Sequence, residues 1–339
     1  MKKPLFFLFL LVATACYKDP IINGQYSGEY YIRHEGVDMP VYVRGNVDSE
    51  VFLFFLHGGP KLSGIEEAIS NQFANLHEQY AMVYYDQRSG GFTHGNRNEN
   101  ISEEQLAKDL DVVVDFIKST YSNARSIFLM GHSWGGYLGT LYLTDATRQD
   151  KITAWIELAG NHNQPLTWLS SRDFVLEYAQ AQIDANAEDK SFWEEAIEKV
   201  TPITTIEKFE DILDINFFAQ VIDRRVGENS VIPKQSRIEY MSSPAGIDVT
   251  QKPIPILDNL AITANLNPLM PNITLPSLIM SGRLDAIVPL AVGENAMEFL
   301  GTPDEDKSLV ILEKSGHDIW KIEQERFVRE IENFVEKYK

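Results

Sequence analysis

The chain has 339 residues, of which 44% are hydrophobic, 11% aromatic and 23% charged, enough to bury one large core with an insertion. A formal net charge of −19 and a pI near 4.8 exclude the basic footprint of a nucleic-acid binder and the polybasic patch that holds anionic lipid. One cysteine excludes an intramolecular disulfide and a cysteine-rich zinc site.

Lys2 and Lys3 open the chain, and Pro4–Ala15 is an almost unbroken apolar run. The run is too short to span a bilayer and has the length of a signal-peptide core. It ends in small residues before the single thiol, Cys16. This arrangement resembles a bacterial lipoprotein signal, although Ala13 stands where that family usually has Leu. The resemblance implies cleavage before Cys16, acylation of its thiol and an anchored, non-spanning protein of the cell envelope. Cys16–Asp19 also resembles the lysine-and-acid stretch that sends some Gram-negative lipoproteins to the cell surface. Residues 1–15 are therefore expected to be a signal peptide and 16–24 a tether.

From residue 25 the pattern is two strands, then alternating strand and helix. Gly28–Arg33 and Met39–Arg44 predict a hairpin turning at Glu35 and Gly36. Val51–Leu56, Ala81–Tyr85, Ser126–Met130 and Ile152–Ile156 are continuous apolar runs, as strands buried on both faces should be. Ser102 and Gln105 have capping-box spacing, and Leu106, Leu110, Val113, Val114 and Ile117 form one helical stripe. Residues 161–271 carry helical patches at Phe174–Ala179 and Phe192–Ile197 but no strong strand. Over 161–270 there are 17 acidic and 9 basic residues, a net of −8. Strands resume at Ser277–Ser281 and Ser308–Leu312, and a helix from about Ile319 closes the chain, with Ile322, Phe327, Ile331 and Phe334 facing the core. The expected fold class is α/β: a mainly parallel sheet flanked by helices over 25–160 and 272–339, interrupted by a helical insertion at 161–271.

Gly131–Gly135 reads G-x-S-x-G between a buried strand and a helix, the context in which that motif holds a serine exposed on a tight turn. The next N–H, that of Trp134, lies at a helix N-terminus, where donors are free and the dipole is positive. A serine hydroxyl needs a base, and the base needs a carboxylate to fix its tautomer. His317 follows the last predicted strand and Asp285 the one before it, at the sheet edge where open α/β folds place their sites. The order Ser133, Asp285, His317 is that of α/β-hydrolases. His57–Pro60 follows the third strand, where this arrangement supplies a second oxyanion donor through a glycine N–H.

His57–Pro60, Asp86–Gly91, Gly131–Gly136, Gly282–Asp285 and Ser315–His317 together resemble the proline iminopeptidase branch of the α/β-hydrolases. The resemblance implies Ser133 as nucleophile, Asp285 and His317 as its partners, and the N–H groups of Gly59 and Trp134 as the oxyanion hole. The chain departs from the family at Lys61, Ser89 and Thr93. Family members that select N-terminal proline carry ammonium-binding glutamates in the insertion; Phe192–Glu195 stands at a different spacing, so that role does not pass to Glu194. Asp86 and Arg88 are expected either to pair with each other, bracing loops, or to be solvated. His132 is expected to be a packing residue. His34, His77, His94 and His162 have no metal-ligand spacing, and no cofactor is expected. The sequence thus points to an aminopeptidase acting on short peptides. A carboxylesterase or amidase on small esters or amides is the alternative, and a non-catalytic envelope binding protein is a remote one.

Overall fold

Glu35 and Gly36 both take positive φ, 43° and 82°, which turns β1 (Tyr26–His34) back onto β2 (Val37–Gly45) as a two-residue hairpin. The computed structural model describes residues 26–70, 72–88, 90–95, 101–228 and 255–339; the signal segment, Cys16 and Ser89 lie outside the described residues. The strands that follow are β3 (Val51–Leu56), β4 (Ala81–Tyr85), the short β5 (His94–Gly95), β6 (Ser126–His132), β7 (Ala154–Leu158), β8 (Ser277–Gly282) and β9 (Lys307–Leu312). Their order is β1-β2-β4-β3-β6-β7-β8-β9, with β5 paired to β2. From β4 to β9 every pairing along this path is parallel, whereas β2 pairs antiparallel with both β1 and β4.

Helices α1 (Gly64–Ser70), α2 (Ala74–His77), α3 (Glu103–Thr120), α4 (Trp134–Leu143) and α5 (Ala146–Gln149) connect the first strands. Between β7 and β8 run α6 (Gln164–Asp184), α7 (Lys190–Val200), α8 (Phe209–Glu228) and α9 (Pro255–Thr263); α10 (Leu290–Phe299) and α11 (Gln324–Tyr338) complete the chain. β3 shows why its run is continuously apolar. Phe52, Phe54 and Leu56 pack with the stripe of α3 and with α4, while Val51, Leu53 and Phe55 pack with α1, α2 and α11. The insertion has its own core, in which Val175, Trp193, Phe218 and Ile222 join Ile287 and Val288 of the loop before α10. Among the described residues, no helix is long and apolar enough to cross a membrane.

Three expectations need correction. β7 begins at Ala154, not Ile152, because Ile152 N–H closes on Gln149 of the α5 turn and the ladder with β6 starts at Phe128 and Ala154. Ser102 caps α3 through Gln105 N–H, but the Gln105 side chain donates to Asp109 at 3.0 Å and does not complete the box. The last helix begins at Gln324. Glu323 accepts bonds from Lys314 N–H and the Ser315 hydroxyl, which holds the preceding residues as a loop and leaves Ile322 39% exposed.

Candidate active site

The chain leaves β6, turns at Ser133 and enters α4 within one residue. Ser133 has φ 53° and ψ −118°, a strained backbone for a residue with a Cβ. The turn is held by Ser133 N–H to the Leu158 carbonyl (3.0 Å) and by Gly136 and Asn161 N–H groups to the Ser133 carbonyl (2.8 and 3.3 Å). The flanking glycines are steric requirements. A Cβ at Gly135 would collide with the Leu56 carbonyl, and one at Gly131 with the Gly135 carbonyl.

Asp285 is fully buried in the loop after β8. Its Oδ1 accepts the N–H groups of Ile287 and Val288, both at 2.8 Å, and its Oδ2 faces His317 Nδ1 at 2.9 Å. With its carboxylate pinned this way, Nδ1 carries the proton and Nε2 is left as the basic nitrogen. Burial pushes the His317 imidazole down, but the charge and hydrogen bond of Asp285, with further charge from Asp223 and Asp318, outweigh burial and raise it to about 9. Asp318 is committed elsewhere, in an ion pair with Lys321 at 2.5 Å.

His57–Leu62 forms the wall opposite. Gly59 has φ +48°, and among the described residues neither its N–H nor that of Trp134 is engaged in an internal hydrogen bond. Gln87 organises both segments, a role no sequence pattern indicated. Its N–H donates to His57 Nε2 (3.2 Å), its side-chain amide donates to the His57 carbonyl (3.2 Å), and its side-chain oxygen accepts from the Trp134 indole (3.0 Å). His57 is thereby a neutral imidazole donating Nδ1–H to the Gly58 carbonyl, and burial pushes it down.

Asp86 and Arg88 are both buried, and they do not pair with each other. Asp86 gathers the loop by accepting from the Ser63 hydroxyl (2.9 Å), Ile65 N–H (3.1 Å) and Phe92 N–H (2.7 Å). Arg88 makes two 2.7 Å bonds to Asp109, which also holds His34 (2.7 Å) and Gln105. His132 packs against His317 and Trp320, each at 4.7 Å between ring centroids, and donates Nε2–H to the His317 carbonyl. Burial and the neighbouring His317 push His132 down to about 3, so it is neutral packing.

These elements enclose a cavity of about 360 Å³, roofed by the insertion. Ser133, Trp134, Gly59 and His317 line it together, with Trp168, Phe209, Leu257 and Ile287 as apolar wall. Carboxylates also reach it: Glu67 and Asp318 from the sheet domain, Asp223 and Asp258 from the insertion. Burial, then the charge of Asp318, raises Glu67 to about 7; burial, then the charge of Asp285, raises Asp223 to about 6. Glu194 takes no part and pairs with Lys190 at 3.8 Å on the surface.

The chain superposes on solved structures over about nine tenths of its length. The proline iminopeptidase of Mycobacterium smegmatis matches 91% of this chain and 98% of its own, with a TM-score of 0.64 at 15% identity. The fold is that of the α/β-hydrolases. An esterase of this fold from Exiguobacterium antarcticum matches 91% of the chain and 100% of its own, with a TM-score of 0.59 and 19% identity. The family model for serine aminopeptidases, S33, matches residues 48–187. The probable aminopeptidase YbaC of Bacillus subtilis is 31% identical over 88 residues, 25% of this chain and 27% of that protein. The matched stretch thus spans about a quarter of that relative. The family model and these neighbours support an α/β-hydrolase enzyme.

Proposed function

We propose that the chain is a serine hydrolase working through an acyl-enzyme, and that its substrates are short peptides from which it releases an N-terminal residue, with proline the first to test. Ser133 Oγ attacks the carbonyl carbon while His317 Nε2 takes its proton. The oxyanion that forms accepts from Gly59 and Trp134 N–H, and Asp285 stabilises the imidazolium. His317 returns the proton to the departing amine. Water, deprotonated by His317, then attacks the acyl-enzyme and releases Ser133.

One observation carries this reading: the Asp285–His317 pair borders, with Ser133, a roofed cavity whose wall carries several carboxylates. Carboxylates raised by burial and by one another's charge are stabilised by an incoming cation, which a free α-ammonium supplies. The apolar wall and the esterase neighbour favour the alternative, a carboxylesterase or amidase. Aminoacyl-naphthylamides, their N-blocked forms and short nitrophenyl esters separate the two. Blocking the amine should lower kcat/KM at least about tenfold, equivalent to about 1.4 kcal/mol; equal turnover would replace the aminopeptidase with the esterase. A fluorophosphonate probe that labels the protein but not Ser133→Ala would set aside a non-catalytic binding role. Acylation at Cys16, and with it an envelope location, belongs to the same proposal.

A further inference from the structure

Asp223 belongs to α8 in the insertion, 94 residues before His317 in sequence, yet its Oδ1 accepts the backbone N–H of His317 at 2.5 Å. It also lines the cavity. The approach is close: a Cβ on Gly316 would collide with the same Oδ1 and force it to shift. His317 is therefore held by Asp285 through its ring, by His132 at its carbonyl and by Asp223 at its main-chain N–H. The hold at the N–H comes from the insertion.

We propose that Asp223 is a positioning residue of the hydrolase reaction, which latches helix α8 to the histidine loop and so sets the place of the imidazole over Ser133. The proposal rests on the serine-hydrolase reading but not on the choice of substrate amine. A carboxylate accepting a main-chain N–H makes a strong, directional bond, and the bond joins roof and base into one unit. Losing it frees the loop that carries His317, and small misplacement of a base is expensive in rate. The charged groups facing Asp223 are Asp285, His317 and Asp318 of the sheet domain, with Lys321 drawn toward it electrostatically.

A nitrophenyl ester lacking any amine tests the latch apart from amine recognition. Asp223→Ala should lower kcat at least about tenfold while KM stays within about twofold, and fluorophosphonate labelling of Ser133 should slow in parallel. Asp223→Asn keeps an oxygen for the His317 N–H and should recover most of that loss. Because it removes a negative charge near His317, it should also move the acid limb of kcat/KM to lower pH. Gly316→Ala should act like Asp223→Ala, and combining the two should do no further harm, since the methyl collides with the oxygen that the second change removes. Wild-type kcat in Asp223→Ala overturns the proposal, as does an Asp223→Asn no better than alanine. An effect on KM for free-amine substrates alone would make Asp223 a substrate contact instead. A wild-type protein that neither turns over esters nor labels refutes the hydrolase reading itself, and the latch with it.

Discussion

Replacing Asp285 by asparagine separates shape from charge at the proposed base. Two N–H donors, from Ile287 and Val288, converge on Oδ1 at 2.8 Å, so the asparagine oxygen must take that place. Its NH2 group is then forced into the Oδ2 position, 2.9 Å from His317 Nδ1. A donor there requires Nδ1 to accept, which moves the ring proton to Nε2 and leaves no lone pair for the Ser133 hydroxyl. The expected loss is on the order of 10⁴ in kcat, about 5.4 kcal/mol of transition-state stabilisation. The loop bonds survive, so the far-ultraviolet spectrum and unfolding midpoint should stay close to wild type. The acid limb should also shift to lower pH, because the charge holding His317 up has gone. Steady-state kinetics on a nitrophenyl ester reads both effects. A kcat within tenfold of wild type would refute the reasoning and direct attention to Asp318.

Four further outcomes are expected. With His317 raised to about 9 and needed in its neutral form, kcat/KM should climb about tenfold per pH unit below pH 9 and level off above it. The same shift has the opposite sign for stability: the contribution is complete below the unfolded value of 6.5 and lost as pH rises toward 9, which urea titrations across that window would detect. Arg88→Met takes the guanidinium from the buried Asp109 carboxylate, leaving it only His34 and Gln105, and should cost about 3 kcal/mol in chemical denaturation, whereas Arg88→Met with Asp109→Leu should cost less. Cys16→Ser should abolish labelling by a radioactive fatty acid and shift the protein from the detergent phase to the aqueous phase.

The sheet was legible because strands buried on both faces must be continuously apolar, and β3 and β4 match their runs residue for residue. That Ser133, Asp285 and His317 come together was legible because each follows a strand at the same sheet edge. What escaped was anything that depends on strand neighbours distant in sequence. Gln87 ties His57 to Trp134 only because β4 and β6 flank β3. Arg88 finds Asp109 only once α3 is packed, so the pairing with Asp86 suggested by adjacency does not form. Asp223 lies in a helix whose sequence gives no sign of the loop it will meet. Ile322 was misplaced because the helical stripe was extended through residues that Glu323 holds as a loop.

The insertion leaves and rejoins the sheet domain through a narrow neck. Asn163 bridges Asn265, Gln164 N–H reaches the Ala264 carbonyl and Leu266 N–H the His162 carbonyl, so entry and exit are stitched side by side. A segment bounded this way can lengthen, shorten or be exchanged without disturbing the register of β7 and β8, which pair directly beneath it. The sheet domain is a chassis to which the roof is fitted at three places: this neck, the Ile287 and Val288 contact, and the Asp223 latch. Chimaeras that graft another roof at positions 163 and 265 should fold when the new roof also covers Ile287 and Val288. They would also show how much of the substrate choice travels with the roof.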